Sequence, residues 1–167
     1  ILITGGAGYV GSVVARHLLS LGYHVTVIDS LLHGGNSLLG LYSEDKFKFV
    51  RGDIRDKEIA SQVLLGIDGV VHLAAIVGDP ACARQPEESQ SVNLDGSLQL
   101  FETARKHGVS KFVFASTCSN YGKMIDTSQY VTEESELRPV SLYAENKVAI
   151  ETSLLSESSQ DSVNVTV

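Results

Sequence analysis

The chain has 167 residues, enough for one domain with a sizeable core. Its 13 basic and 20 acidic side chains leave a net charge of -7, which disfavours nucleic acid or an anionic membrane as partner and requires any anionic ligand to be held by a local site. No apolar run reaches the ~20 residues of a membrane span. The two cysteines, Cys82 and Cys118, form neither a disulfide nor a metal pattern, and a reducing cytoplasm is the default.

In chain order, "ILIT" (1–4), "HVTVID" (24–29), "FKFVRGD" (47–53), "GVVHLAA" (69–75), "KFVFAS" (111–116) and "VNVTV" (163–167) are short runs rich in Val, Ile and Phe. They read as buried strands of a parallel sheet covered on both faces. Between them, 9–21, 55–65, 86–107 and 142–158 carry helical periodicity, and "KHGV" (106–109) is a helix stop. Segment 30–45 is less regular, 77–88 reads as a loop facing the substrate side, and 119–140 is polar and long enough for a functional loop. Repeated strand–helix–strand units imply an α/β fold, a doubly wound parallel sheet of Rossmann type. One dinucleotide-binding domain is expected over 1–167. Both ends fall within strand-like runs, so a longer protein with a C-terminal substrate domain is expected.

Gly5, Gly8 and Gly11 have the spacing G-x-x-G-x-x-G between a strand and a helix. One glycine turns the chain off the strand, one admits a pyrophosphate to the backbone, and one lets helix and sheet approach. Tyr9 and Val10 lie between the last two and belong to the same cofactor loop. The free N–H groups of the helix start then face the phosphates. Asp29, ending the second strand, is placed to accept hydrogen bonds from the adenosine ribose and to repel a 2′-phosphate, which predicts NAD over NADP. Asp53, ending the third strand, is a candidate partner for the adenine amino group or a helix cap, and Ile54 a candidate wall of the adenine pocket.

Downstream, "SLYAENK" places Tyr143 and Lys147 at i, i+4, on one face of a helix. A nearby ammonium favours the phenolate, so Tyr143 could move a proton to or from a sugar hydroxyl. Lys147 could also hold the nicotinamide ribose. "FASTCSNYG" (114–122) leaves the fifth strand where ligands bind in such sheets. A hydroxyl of Ser116 or Thr117 there could bond the reacting oxygen.

Taken together, "TGGAGYVGS", "VID", "GDIRD", "HLAA", "VN" ending in Asn93, "FASTCSNYG" and "YAENK" resemble, in order and across the whole chain, the extended short-chain dehydrogenase/reductase family. The likeness is to its NAD-dependent nucleotide-sugar epimerases and dehydratases, UDP-glucose 4-epimerase among them. The resemblance implies a catalytic Thr117, an acid/base Tyr143 with Lys147 as its partner, and a cofactor lined by the backbone of Leu73, Ala74 and Ala75 and by Asn93. Cys118 and Ser119 stand where the family's 4,6-dehydratases carry Asp-Glu, which argues against water elimination and, by the same lack of a carboxylate, against decarboxylation. Epimerisation of a nucleotide sugar is expected. A keto-sugar reductase or dehydrogenase is the alternative, and a non-catalytic dinucleotide-binding protein ranks third because the Tyr/Lys pair is kept. Cys118 is expected to pack in its loop, His72 to be a satisfied core residue, and Asp79 or Arg84 to touch the substrate. The resemblance also implies a homodimer through the helices at 86–107 and 142–158, although "SLQLFETA" (97–104) could equally face the sheet.

Overall fold

The computed structural model describes residues 1–122, 130–158 and 163–167. Six strands, β1 (Leu2–Thr4), β2 (Val25–Asp29), β3 (Phe47–Arg51), β4 (Gly69–His72), β5 (Lys111–Phe114) and β6 (Asn164–Thr166), form one sheet. Its order is β3-β2-β1-β4-β5-β6, and every pairing is parallel. The expected doubly wound sheet is present, with the order reversing between β1 and β4.

The handedness of the crossovers decides what covers it. Right-handed connections that step one way from β1 to β3 place their helices on one face; those stepping back from β3 to β6 use the other. Accordingly α1 (Tyr9–Ser20) and a 3-10 helix (Asn36–Leu41) pack Ala15, Leu38 and Leu41 against Ile3, Val25 and Val27. On the opposite face, α2 (Lys57–Val63), α5 (Gly96–Lys106) and α6 (Leu142–Ser158) enclose the larger core. There the Phe101 and Phe112 rings meet edge to face at 5.1 Å, and burying each such ring contributes about 2 kcal/mol. The first face extends over β1–β3 and reaches Val71 of β4. On β5, Phe112 and Phe114 are buried while Lys111 and Val113 are exposed. Cover on both faces therefore runs from β3 as far as β4 and does not hold for β5.

Several boundaries move for local reasons. The expected helix 55–65 starts at Lys57, because the Asp56 side chain accepts from the N–H groups of Glu58 and Ile59 and caps it. The expected loop 77–88 instead carries two short helices, α3 (Asp79–Arg84) and α4 (Pro86–Ser89). Pro80 and Pro86 sit in their first turns, where a missing N–H is harmless. The helix expected over 86–107 runs from Pro86 to Lys106 and widens into a π turn at Gln90–Asp95, a device that recurs at functional sites. The stop at "KHGV" is as expected, with α5 ending at Lys106 and Gly108 at φ +75°. In "SLQLFETA", Leu100, Phe101 and Ala104 face the sheet. Of the expected loop 119–140, residues 123–129 lie outside the described residues. Among the described residues no helix is long and apolar enough to cross a membrane.

Candidate functional site

The strand order reverses between β1 and β4 and the turns after these two strands touch; in sheets of this kind the crevice outside the carboxyl ends at such a switch is where ligands bind. Gly5 leaves β1 at φ +69°, and a Cβ there would lie 2.8 Å from the Ala74 backbone. A Cβ on Gly11 would lie 2.5 Å from the Gly5 oxygen and 2.6 Å from the Gly6 Cα. These glycines let the β1 turn, the β4 exit and the start of α1 share one space. No side chain caps α1 at Gly8, so its first N–H groups are left for a ligand. Tyr9 and Val10 are exposed on that first turn. Gly6, which the spacing argument passes over, is pressed on β2: a Cβ there would meet Val27 Cγ1 at 2.5 Å.

Asp29 is held beside this turn. Its Oδ2 accepts from the Ala7 N–H at 2.9 Å and its Oδ1 from the Leu31 N–H at 2.8 Å. The second bond also steadies Leu31, the one non-glycine at positive φ among the described residues. The Asp53 carboxylate is gripped by Arg55, whose Nη2 lies 2.7 Å from Oδ2 and 2.9 Å from Glu88. The guanidinium holds the Asp53 carboxyl below the usual carboxylate range. Asp53 is thus an acceptor anchored by Arg55, and the capping role falls to Asp56. Ile54, the candidate pocket wall, is 4% exposed and packs in the core. Gly96 lets it in, since a Cβ there would meet Ile54 Cδ1 at 3.2 Å.

Behind the crevice a directed chain of hydrogen bonds fixes the end of β4. Ser97 Oγ donates to the Asn93 carbonyl, so its oxygen accepts from His72 Nε2–H at 2.7 Å. His72 Nδ1 is then the acceptor for the Thr4 hydroxyl at 2.6 Å. Thr4 Oγ1 in turn accepts from the N–H groups of Leu73 and Ala74, both at 3.2 Å. Asn93, buried in the π turn, uses Oδ1 to accept from the Ile76 N–H at 2.7 Å and Nδ2 to donate to the Ile76 carbonyl at 2.9 Å. Its amide therefore locks the backbone following Ala75. His72 is the satisfied core residue expected, stacked on Phe114. Burial, with Lys147 acting in the same direction, pushes its imidazole down to about 3.

This has a measurable consequence. Between about pH 6.5 and 3 the unfolded chain binds a proton at His72 that the folded chain refuses. Stability is full above that range and falls as the solution is acidified, by up to about 1.4 kcal/mol per pH unit. Urea midpoints measured from pH 7.5 to 4.5 are expected to fall more steeply for the wild type than for His72→Phe. Equal slopes would show that His72 is not held neutral.

At the other side of the crevice, α6 carries Tyr143 and Lys147, both buried. Lys147 Nζ donates to the Ala115 carbonyl at 2.7 Å and lies 4.4 Å from the Phe114 ring centroid and 5.9 Å from that of Tyr143. A carbonyl and an aromatic face support the buried charge, yet burial still lowers its ammonium to about 8. The sequence expectation was an ammonium that favours the phenolate. Instead burial raises the Tyr143 phenol above its ordinary value, with Cys82, Asp79 and Cys118 adding to it. Asp79, at the start of α3, accepts from Ser141 Oγ at 2.7 Å and so reaches this end of the crevice. Thr117 precedes a 3-10 helix (Cys118–Tyr121), and its Oγ1 accepts from the Ser119 N–H at 3.2 Å. Cys118 corrects the packed expectation: it is exposed, because that helix turns it outward beside Thr117.

A doubly wound sheet with a glycine turn against an uncapped helix, an acid ending β2 and a Tyr/Lys face at the crevice defines a dinucleotide-binding α/β domain. The chain belongs to the NAD dependent epimerase/dehydratase family, which matches residues 1–167. It is 37% identical over 153 residues to a UDP-glucose 4-epimerase of Streptomyces lividans, covering 90% of this chain and 45% of that protein. It is 35% identical over 157 residues to a dTDP-glucose 4,6-dehydratase of Streptomyces niveus, covering 89% and 46%. The structure of Thermus thermophilus UDP-glucose 4-epimerase in complex with NAD superposes with a TM-score of 0.88 at 32% identity, over 98% of this chain and 52% of that one. The chain thus spans about half the length of the relatives it matches. NAD is the cofactor of this family, and the close-packed glycine turn and the uncapped α1 terminus fit a dinucleotide.

Proposed function

We propose that the protein bearing this chain epimerises a nucleotide sugar, with Tyr143 as the acid/base. The observation that supports the reading is that buried Lys147, 5.9 Å from the Tyr143 ring, bonds the Ala115 carbonyl just past β5, at the same carboxyl edge of the sheet where Gly5 packs on Ala74. The α1 terminus, Asp29, the Asp53 carboxylate and the backbone from Leu73 to Ala75 would hold NAD, with Asn93 acting through Ile76. The bound cofactor supplies a hydride acceptor and donor and, when oxidised, a positive charge. Tyr143 takes the proton of the reacting sugar hydroxyl and returns it, and the cationic Lys147 opposes the rise that burial imposes on the phenol. The Thr117 hydroxyl donates to the same sugar oxygen and orients it. With Cys118 and Ser119 after Thr117, no carboxylate stands there for an elimination step, which supports epimerisation over dehydration. The nucleotide-sugar substrate, a homodimer of the whole protein and a cytoplasmic setting complete the proposal.

The test is to incubate the full-length gene product with UDP-glucose and related nucleotide sugars in D2O. Formation of a C4 epimer that keeps its carbon-bound hydrogen, with no net NADH, is the expected result. Net NADH formation or consumption would replace the reading by a dehydrogenase or reductase. Cofactor choice is a separate expectation. Asp29→Asn removes the charge that opposes a 2′-phosphate and is expected to shift the NADP/NAD affinity ratio upward by about tenfold to a hundredfold, the worth of a charged hydrogen bond. Titration of both nucleotides checks this, and an unchanged ratio would remove Asp29 from the site.

A further inference from the structure

Glu151 lies one turn beyond Lys147 and two beyond Tyr143 on the same face of α6. Its Oε2 accepts from Ser116 Oγ at 2.8 Å and from Asn120 Nδ2 at 3.0 Å. Asn120 Nδ2 also donates to Ser116 Oγ at 2.8 Å, closing a triangle. Ser116 and Asn120 stand on either side of Thr117, and Lys147 holds Ala115 just ahead of them. Segment 115–120 is therefore fastened at three residues to the helix that bears Tyr143. The hydroxyl of Thr117 rides inside that bracket, and among the described residues it is bonded locally, to the Ser119 N–H. We propose that Glu151 is a positioning residue that sets Thr117 against Tyr143, so that one helix serves as the ruler for both groups. This rests on the reading of Thr117 and Tyr143 as the reacting pair. A carboxylate suits the task because one of its oxygens can take two donors at once, and two fixed donors leave the loop no freedom to shift.

The clamp can be read without catalysis. Cys118 is exposed immediately after Thr117 and Cys82 is buried, so alkylation of Cys118 by iodoacetamide reports the order of the segment. In the full-length gene product, Glu151→Ala is expected to speed Cys118 alkylation several-fold. It is also expected to lower kcat by about tenfold to a hundredfold, the cost of a displacement of about an ångström. KM for the sugar and the bound NAD should stay unchanged, as should the pKa that Tyr143 gives the pH profile. Glu151→Gln keeps an accepting oxygen and should recover most of the loss. An unchanged Cys118 rate, a glutamine variant no better than alanine, or a parallel loss of NAD and melting temperature would overturn the proposal. If the wild type turns over no nucleotide sugar, the functional reading fails, and the Cys118 rate alone then decides whether the clamp exists.

Discussion

Tyr143→Phe in the full-length gene product is expected to lower kcat by between about a hundredfold and ten-thousandfold, the usual worth of a positioned acid/base group. The substitution removes one oxygen. The ring stays in place beside Lys147, whose own anchors are the Ala115 carbonyl and the Phe114 ring. Folding, NAD content and nucleotide-sugar KM should therefore change little, which confines the loss to the chemical step. The pH profile adds a second observable. Burial raises the phenol while it lowers the Lys147 ammonium to about 8. The wild-type profile should show these two groups titrating, and the limb assigned to the phenol should vanish in Tyr143→Phe. Loss of NAD along with activity would mean that the hydroxyl builds the site and does not react.

Gly11→Ala should have the largest effect on the domain itself. Helix propensity alone favours alanine here by about 1 kcal/mol. The new methyl, however, would sit 2.5 Å from the Gly5 oxygen and 2.6 Å from the Gly6 Cα, both backbone atoms that cannot swing aside. Relieving that overlap costs about 1–3 kcal/mol and displaces the α1 terminus from the glycine turn, so the clash outweighs the propensity. A lowered urea midpoint together with loss of NAD is the expected outcome. Gly40→Ala is the control, since nothing lies within 4 Å of a Cβ there. It should be neutral or slightly stabilising. Equal behaviour of the two variants would show that the close packing at Gly11 does not govern cofactor binding.

The features legible in the sequence are those fixed by spacing along one element. The apolar runs give the strands, the glycine spacing gives the turn against α1, and an i, i+4 pair gives one helix face. Asp29 was readable for the same reason, because it ends a strand beside that turn. What was hidden depends on contacts between elements. The Asn93 amide grips Ile76 only because the helix widens into a π turn at Gln90–Asp95, and no residue pattern in "SQSVNLD" announces that. Ile54 falls in the core because Gly96, far along the chain, leaves room for it. The helices at 79–89 did carry a signal, proline after Asp79 and after Gln85, that a loop reading passes over. The upward shift of Tyr143 was not readable either. It follows from burial and from Asp79, Cys82 and Cys118, brought near by α3 and the loop after β5. Glu151 shares the stripe of Tyr143 and Lys147 and could have been found there, but only its bonds to Ser116 and Asn120 give the stripe a meaning.

On the proposed function, the domain keeps NAD resident and recycles it within one turnover. The most direct measurement is to denature the full-length protein as purified, with no nucleotide added, and assay what is released. About one NAD(H) per chain is the result expected of a resident, recycled cofactor. An empty protein that binds and releases NADH freely would contradict it and make the enzyme a net oxidoreductase.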